Sequence, residues 1–400
     1  MVNPGIEKEL HLREMELNSL LEVTQAINLN LPEDSLYKIY HFTTIASLHI
    51  KKLALYVLDS DWSCKVNYGT ERDYKKQAFN AQILEVTTIS KVNPELKEFE
   101  EFDLVIPIAH KSNSLAYVLL SGEDETELPD TSFIQTFTSI IIVAIENKKL
   151  ARKELEQEVF RKELEIAREV QSMLFPKELP DTKGLRIFAT YLPHHTIGGD
   201  YYDYIPLDEN NFLICIADVS GKGIPASLLM SNFQASLRTL VRQTSDLKQI
   251  VSELNFVIKN NAKGERFITF FVAAFDLKNQ TLRYINAGHN PPVLVWENGT
   301  MQLLEKGTTV LGAFDSLPFM DDETIKIDSP LLLFSYTDGL TEASNEQEEE
   351  FGIDKIQDFL KEQYSNPLQE VHQTLHQRLI TFKGEKSFPD DITYISCAVC

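Results

Sequence analysis

Residues 148–175 form a run without glycine or proline, and this run constrains the fold of the chain more than any other feature. It is rich in residues that favour helices. Joined to the helix before it, this run predicts a continuous helix of about 34 residues, or roughly 50 Å at 1.5 Å per residue. We therefore expect two globular parts, residues 1–147 and 177–400, connected by a helical linker over residues 148–176.

The linker carries an imperfect apolar stripe. Its members recur at steps of 4, 7, 4 and 3 residues: Leu155, Val159, Ile166, Val170 and Met173. Lys162 stands where the stripe would continue, which is unfavourable in a coiled-coil seam. The pattern favours a marginal coiled coil that joins two copies of the chain, because a helix this long seldom stands alone in water. The alternative is a solvated spacer helix.

Composition excludes several classes of protein. The 400 residues include 60 acidic and 38 basic side chains, so the net charge of −22 opposes binding to nucleic-acid phosphates. The longest apolar runs, such as residues 140–145, are far shorter than the roughly 20 residues that cross a bilayer. The N-terminus resembles no secretory signal, and four cysteines make no disulfide framework. We expect a cytoplasmic protein that binds neither nucleic acid nor membrane.

The first part has the pattern of a small α+β domain. Helical spacing over residues 7–28 is followed by strand-like runs at 53–58, 102–108 and 115–120, and then by the helix from Ser132. This arrangement resembles a GAF sensor domain over roughly residues 15–147. The alternative is a dimerisation module that binds no ligand.

The second part alternates strands and helices. The predicted strands cover residues 185–193, 199–205, 211–218, 267–276, 281–287, 291–296, 331–337 and 391–399. The predicted helices cover residues 225–242, 246–261, 352–362 and 366–382. Strands before and after paired helices indicate two sheets packed face to face with helices outside.

Aspartates recur at the ends of these strands, beside glycine. Asp200 follows Gly198 and Gly199, and Asp218 follows the apolar strand 211–217. Asp338 follows the strand 331–337 in the same way, and Asp390 and Asp391 open the last strand. Carboxylates on rigid elements can converge on one point, and neighbouring glycines let backbone and water approach.

Converging carboxylates repel one another unless cations neutralise them. No His or Cys accompanies these aspartates at ligand spacing, and an all-oxygen site suits Mg²⁺ or Mn²⁺. A pair of such ions lowers the pKa of a water and stabilises charge on a phosphoryl group. The sequence therefore predicts a site for hard divalent cations at these strand ends.

Five motifs identify a family resemblance. They are Ile197-Gly-Gly-Asp-Tyr-Tyr-Asp203, Ala217-Asp-Val-Ser-Gly-Lys-Gly223, Asn286-Ala-Gly-His-Asn-Pro-Pro292, Tyr336-Thr-Asp-Gly-Leu-Thr-Glu342 and Asp390-Asp-Ile-Thr393. The helix Glu165-Ile-Ala-Arg-Glu-Val-Gln171 before them also matches. Together they resemble the metal-dependent protein phosphatases (PPM), in the bacterial SpoIIE-type branch. The resemblance implies a four-layer α/β/β/α sandwich that hydrolyses phosphoserine or phosphothreonine in proteins.

The resemblance also implies roles for individual residues. Asp200, Asp218, Asp338 and Asp390 match metal ligands for two ions, Mg²⁺ or Mn²⁺, and would act in catalysis through metal-bound water. Val219 matches the position that offers its backbone carbonyl, and Asp391 would orient the ligands or their waters. In this branch the substrate is a phosphorylated anti-anti-sigma (STAS-type) protein, and the sensor and linker would gate the site through a homodimer.

Two positions depart from the wider family. Ser220 stands where many eukaryotic members carry a histidine proposed as the general acid. No residue matches their phosphate-binding arginine, so Lys222, Arg266 or a bound metal remain alternatives for that role. His289 is interpreted as a structural histidine in a shaped loop.

Two other functions remain open from the sequence. The first is a catalytically silent, metal-free module that docks a signalling partner. The second is a metal-dependent enzyme that acts on a small phosphoester.

Overall fold

A computed structural model describes residues 4–46, 50–77, 79–110, 113–122 and 130–399, with side chains from residue 10 onward. The chain divides into two compact units, Met1–Glu158 and Val159–Cys400. Within the described ranges, no helix has the length and apolar character needed to span a membrane.

The first unit is built around one antiparallel sheet. Its helices are α1 (Pro4–Asn28), α2 (Glu33–Ala46) and the beginning of α3 (Thr131–Ser172). Its strands are β1 (Ile50–Leu58), β2 (Trp62–Tyr68), β3 (Ser90–Lys91), β4 (Leu104–His110) and β5 (Asn113–Gly122). The strand order is β2-β1-β5-β4-β3.

The two faces of this sheet are covered differently. One face packs against the helices, with Val23, Tyr40 and Phe137 in the same buried cluster. The other face is covered by an aromatic cluster that includes Tyr56 and Phe99, and by short 3₁₀ turns at Tyr74–Lys76, Ala81–Glu85 and Lys97–Phe99. The predicted α+β composition is confirmed, whereas the GAF-like assignment stays a prediction.

Helix α3 is one continuous element of 42 residues. It begins where Asp130 accepts hydrogen bonds from the amides of Ser132 and Phe133, both at 3.0 Å, which satisfies donors at the helix start. It ends at Ser172, before Pro176. The stripe residues from Leu155 to Met173 each leave at least half of their surface exposed in the single chain, so the apolar stripe predicted for a coiled coil is largely open to solvent there.

The second unit contains two sheets. Its strands are β6 (Leu185–Leu192), β7 (Tyr201–Pro206), β8 (Asn211–Val219), β9 (Ile268–Asp276), β10 (Thr281–Ala287), β11 (Val293–Trp296), β12 (Met301–Leu303), β13 (Gly307–Thr308), β14 (Glu323–Lys326), β15 (Leu331–Tyr336) and β16 (Ile392–Val399). Its helices are α4 (Ile224–Val241), α5 (Leu247–Ala262), α6 (Asp338–Thr341), α7 (Gly352–Gln363) and α8 (Leu368–Lys383).

The strands form a sandwich. One sheet has the order β13-β10-β9-β8-β7 with β14 beside β10, and the other has the order β12-β11-β15-β16-β6. Inward side chains of both sheets, such as Ile216, Phe271 and Leu333, share one buried cluster. Helices α4 and α5 cover the outer face of the first sheet, and α7 and α8 cover the second. The predicted four-layer α/β/β/α sandwich is confirmed.

In the second unit, two short strands and one short helix were not predicted. Strands β13 and β14 have two and four residues, and helix α6 has four. Elements this short leave no periodic pattern in the sequence. Helix α6 matters for the site because its first residue is Asp338.

Candidate metal centre

The five predicted aspartates lie at ends of strands from both sheets. Asp200 directly precedes β7, Asp218 lies at the end of β8, and Asp338 follows β15. Asp390 and Asp391 directly precede β16. The charges of Asp218, Asp338, Asp390 and Asp391 each raise the pKa of at least one other member of the group, and a hydrogen bond with Asp200 lowers the pKa of Asp218. The structure therefore brings together the residues that lie 190 positions apart in the sequence.

Asp200 is the most deeply buried member, with 1% of its surface exposed. Its Oδ2 accepts hydrogen bonds from Thr337 Oγ1 at 2.9 Å and from Thr393 Oγ1 at 2.6 Å. Burial raises its pKa well above the usual range, and the charges of Asp218 and Asp391 raise it further. A carboxylate held this way requires positive charge nearby to stay ionised.

Burial and neighbouring negative charges also disfavour the ionised forms of Asp218 and Asp338. Burial raises the pKa of Asp218 to about 7, with further contributions from the charges of Asp338, Asp390 and Asp391. Burial and the charge of Asp390 also raise the pKa of Asp338. These carboxylates destabilise one another, which is the condition that a divalent cation relieves.

Asp391 is held by backbone amides. Its Oδ1 accepts from the His194 amide at 2.7 Å, and its Oδ2 accepts from the Gly199 amide at 2.8 Å. A Cβ at Gly198 would come within 2.2 Å of Asp391 Oδ2, so only glycine allows this close approach. Asp391 thus holds the turn that precedes Asp200, whereas its expected role in orienting metal ligands or their waters stays a prediction.

Asp390 and Val219 complete the predicted set. Asp390 Oδ2 pairs with Lys222 Nζ at 2.8 Å. The Val219 carbonyl oxygen lies 3.0 Å from the point where a Cβ on Gly199 would stand, so it faces the turn before Asp200. The backbone oxygen and the carboxylates therefore border the same region.

The donor set fits hard divalent cations because every side chain that it offers is a carboxylate. Among the residues that the structure describes, no three acidic, His or Cys side chains already stand in an arrangement that could hold a metal ion. Oxygens of three of the aspartates already have protein partners. Asp200 accepts from Thr337 and Thr393, Asp390 pairs with Lys222, and Asp391 accepts from two backbone amides. The residues therefore fit a metal centre in chemistry and charge. When a metal ion binds, bonds to the ion would replace some of these protein contacts.

A buried ion pair beneath this site was missed by sequence reasoning. Asp203, fully buried on β7, accepts from Arg238 Nε at 2.8 Å and from Arg238 Nη2 at 2.9 Å. Tyr201 donates a further hydrogen bond to Asp203. Asp203 lies in the motif that contains Asp200, which was a signal, but nothing in the sequence identifies Arg238 as its partner.

His289 lies behind the site as a buried residue. Its Nδ1 lies 2.8 Å from Thr269 Oγ1, and Thr269 pairs with Asp218 in the β8–β9 register. Its amide donates to Asn286 Oδ1 at 2.7 Å. Burial lowers its pKa to about 4, so the ring is neutral at physiological pH, as a structural histidine would be.

Comparison with known proteins agrees with this architecture. The family described as "Stage II sporulation protein E (SpoIIE)" matches residues 208–399. Phosphoserine phosphatase RsbU of Bacillus subtilis is 30% identical over 241 residues, which cover 60% of this chain and 70% of RsbU. The chain belongs to the SpoIIE-type family of metal-dependent protein phosphatases.

Two further relatives extend the comparison. Protein IcfG of Synechocystis sp. is 29% identical over 302 residues, which cover 68% of this chain but 46% of IcfG. The chain thus spans about half the length of IcfG. The solved SiaA-PP2C domain of Pseudomonas aeruginosa has 20% identity and a TM-score of 0.54, and the match covers 60% of this chain and 97% of that domain. This likeness supports the sandwich fold alone.

Proposed function

We propose that this chain is a Mg²⁺- or Mn²⁺-dependent protein phosphatase that hydrolyses phosphoserine or phosphothreonine. One observation carries the proposal: carboxylates at strand ends of two sheets lie close enough for neighbouring negative charges to raise the pKa of Asp200, Asp218 and Asp338. A bound divalent cation would relieve this repulsion and keep the carboxylates ionised. Membership of the SpoIIE-type family supports the same reaction, since RsbU is a phosphoserine phosphatase.

The residues that would hold two ions are Asp200, Asp218, Asp338, Asp390 and the carbonyl of Val219. When bound, the ions lower the pKa of a water and offset negative charge on the phosphoryl oxygens. Thr337 and Thr393 orient Asp200 through their hydroxyls. Asp391 keeps the turn before Asp200 in place through the Gly199 amide.

The proposal also includes a substrate and a mode of regulation. We place a phosphorylated signalling protein of the anti-anti-sigma (STAS) type as the substrate, because the motifs resemble the branch that acts on such proteins. Residues 1–147 would act as a GAF-like sensor that gates the site through the linker of residues 148–176 in a homodimer. The exposed apolar face of α3 supports this dimer.

A catalytically silent binding module is the rival function. It would have no need to retain buried carboxylates, since each costs stability when it lacks a counter-charge. Asp200, Asp218, Asp338 and Asp390 are all present and gathered, which favours the enzyme.

The experiment is phosphate release by the full chain from a phosphoserine-bearing STAS protein and from a small aryl phosphate, with Mn²⁺, with Mg²⁺ and with EDTA. The proposal expects metal-dependent release from the phosphoprotein and none in EDTA. Release from the aryl phosphate alone would indicate a small-molecule phosphatase. No release under any condition would favour the silent module.

A further inference from the structure

We propose that Lys222 binds the phosphoryl group of the substrate, an inference that rests on the proposed phosphatase function. Lys222 lies between the end of β8 and the start of α4, in the loop Ser220-Gly-Lys-Gly223. This loop directly follows Asp218 and Val219, so its backbone is anchored to the candidate metal centre.

The Lys222 amine lies at the rim of the carboxylate group. Its Nζ is 2.8 Å from Asp390 Oδ2 and donates to the Pro389 carbonyl at 2.5 Å. The side chain is 44% exposed, whereas Asp200 is 1% exposed. The amine therefore stands on the solvent side, from which a phosphorylated side chain must approach.

The charge of Lys222 also reaches the neighbouring acids: burial and nearby carboxylates raise the pKa of Asp338 and Glu342, and the lysine opposes that rise. A phosphomonoester that approaches these acids is repelled by them. An ammonium at the rim opposes that repulsion and offers three N–H donors to phosphoryl oxygens. Lys222 thus has the charge and position that phosphate binding requires.

Arg266, the other basic candidate, is committed to the loop itself. Its Nη1 donates to the Ser220 carbonyl at 2.7 Å. Gly221 has φ of +91°, and a Cβ there would come within 2.0 Å of the same nitrogen. Arg266 therefore packs against the loop and holds its shape, which leaves Lys222 as the residue that meets phosphate.

The pairing with Asp390 does not conflict with this role. Asp390 is a proposed metal ligand, and a carboxylate that ligates an ion no longer needs the lysine as its counter-charge. The flexible lysine stem then lets the amine turn to a phosphoryl oxygen. Lys222 would neutralise Asp390 when no metal is bound, and it would bind phosphate when the metal is bound.

The test measures binding of inorganic phosphate to the Mn²⁺-loaded full chain by calorimetry, for wild type, Lys222→Gln and Lys222→Arg. Lys361→Gln is the matched control, because Lys361 pairs with the exposed Asp358 on α7 at 3.5 Å. We expect Lys222→Gln to weaken phosphate binding about tenfold to a hundredfold, the range for a lost charge-assisted hydrogen bond. Lys222→Arg should retain most of the affinity and Lys361→Gln all of it.

Mn²⁺ binding measured without phosphate separates the two roles of the lysine. In Lys222→Gln it should be unchanged or tighter, because the competitor for Asp390 is gone. Phosphate affinity within twofold of wild type in Lys222→Gln, or a loss fully explained by weaker Mn²⁺ binding, would overturn the inference. So would the absence of phosphate binding to the loaded wild type.

Failure of the proposed function is distinguishable from failure of this inference. If the wild type releases no phosphate from any substrate but binds phosphate through Lys222, the enzyme proposal fails and the binding site stands. If the wild type is active and Lys222→Gln matches it in KM and in phosphate affinity, the Lys222 inference alone fails.

Discussion

Gln171, one residue before the end of α3, exchanges two hydrogen bonds with the backbone of Gly198. Its Nε2 donates to the Gly198 carbonyl at 2.8 Å, and its Oε1 accepts from the Gly198 amide at 3.3 Å. Gly198 lies two residues before Asp200. The last turn of the long helix is therefore joined directly to the turn that presents a candidate metal ligand.

Gln171→Leu should weaken Mn²⁺ binding and lower the rate of phosphate release. The side chain is buried, and its loss leaves the buried Gly198 amide and carbonyl without partners, at a cost of about 1–3 kcal/mol. Calorimetric Mn²⁺ titration and the Mn²⁺-dependent rate check this. Glu169→Ala, at an exposed neighbour on the same helix, is the control and should leave both unchanged. Unaltered Mn²⁺ affinity in Gln171→Leu would show that this contact does not support the site.

The metal-free protein should lose stability as pH rises. Burial and neighbouring carboxylates raise the pKa of Asp218 to about 7 in the fold, whereas an unfolded Asp titrates near 3.9. The folded state binds the proton more tightly, so the unfolding free energy falls between about pH 4 and pH 7. In EDTA, we expect the melting temperature at pH 5.5 to exceed that at pH 8 by at least about 3 °C, the shift that 1 kcal/mol produces.

The variant Asp218→Asn serves as a control for the pH dependence of stability. The variant removes one of the mutually repelling charges, so in EDTA at pH 8 it should melt above the wild type. Mn²⁺ should raise the melting temperature of the wild type at pH 8, since a ligand that binds only the folded state stabilises it. Melting curves that depend on neither pH, Mn²⁺ nor the substitution would contradict a shared carboxylate site.

Arg238→Met should destabilise the second unit strongly. It leaves the fully buried Asp203 without its bidentate partner. Breaking a fully buried pair costs about 3–5 kcal/mol, and because the Arg238 side chain is 44% exposed, we expect a cost near the lower end of that range. Denaturant unfolding measures the change. Lys361→Met, which breaks the exposed pair with Asp358, should cost under about 1 kcal/mol. Equal effects of the two substitutions would show that the Asp203 pair adds nothing beyond a surface contact.

The sequence predicts those residues of the site that lie at the ends of strands. Asp200, Asp218 and Asp338 were found because each follows or precedes a recognisable apolar strand or a glycine. The contacts of Gln171 with Gly198 and of Arg238 with Asp203 join residues 27 and 35 positions apart. Helix packing decides such contacts, and no local pattern encodes them. Thr337 and Thr393 lay within the recognised motifs, yet their hydroxyl contacts to Asp200 required the pairing of β15 with β16.

Lys162→Leu tests the linker. Lys162 is exposed on α3 and interrupts the apolar stripe, so a leucine there should tighten a parallel coiled coil. Sedimentation measures the dimerisation constant, and the Mn²⁺-dependent rate measures the output. We expect tighter dimerisation together with a rate fixed at one extreme of its range. If neither quantity changes, the helix is a passive spacer; if only dimerisation tightens, the coiled coil does not regulate.

We propose that the aspartates at the strand ends hold a metal centre and that the protein uses it to hydrolyse phosphoserine. The most direct measurement is Mn²⁺-dependent phosphate release from a phosphoserine protein by the wild type, by Asp218→Asn and by the control Asp358→Asn, whose carboxylate is exposed on α7. We predict that Asp218→Asn stays folded and loses nearly all turnover at saturating Mn²⁺, while Asp358→Asn keeps it. Turnover of Asp218→Asn within about threefold of wild type would contradict the account, because loss of an anionic ligand removes several kcal/mol of transition-state stabilisation.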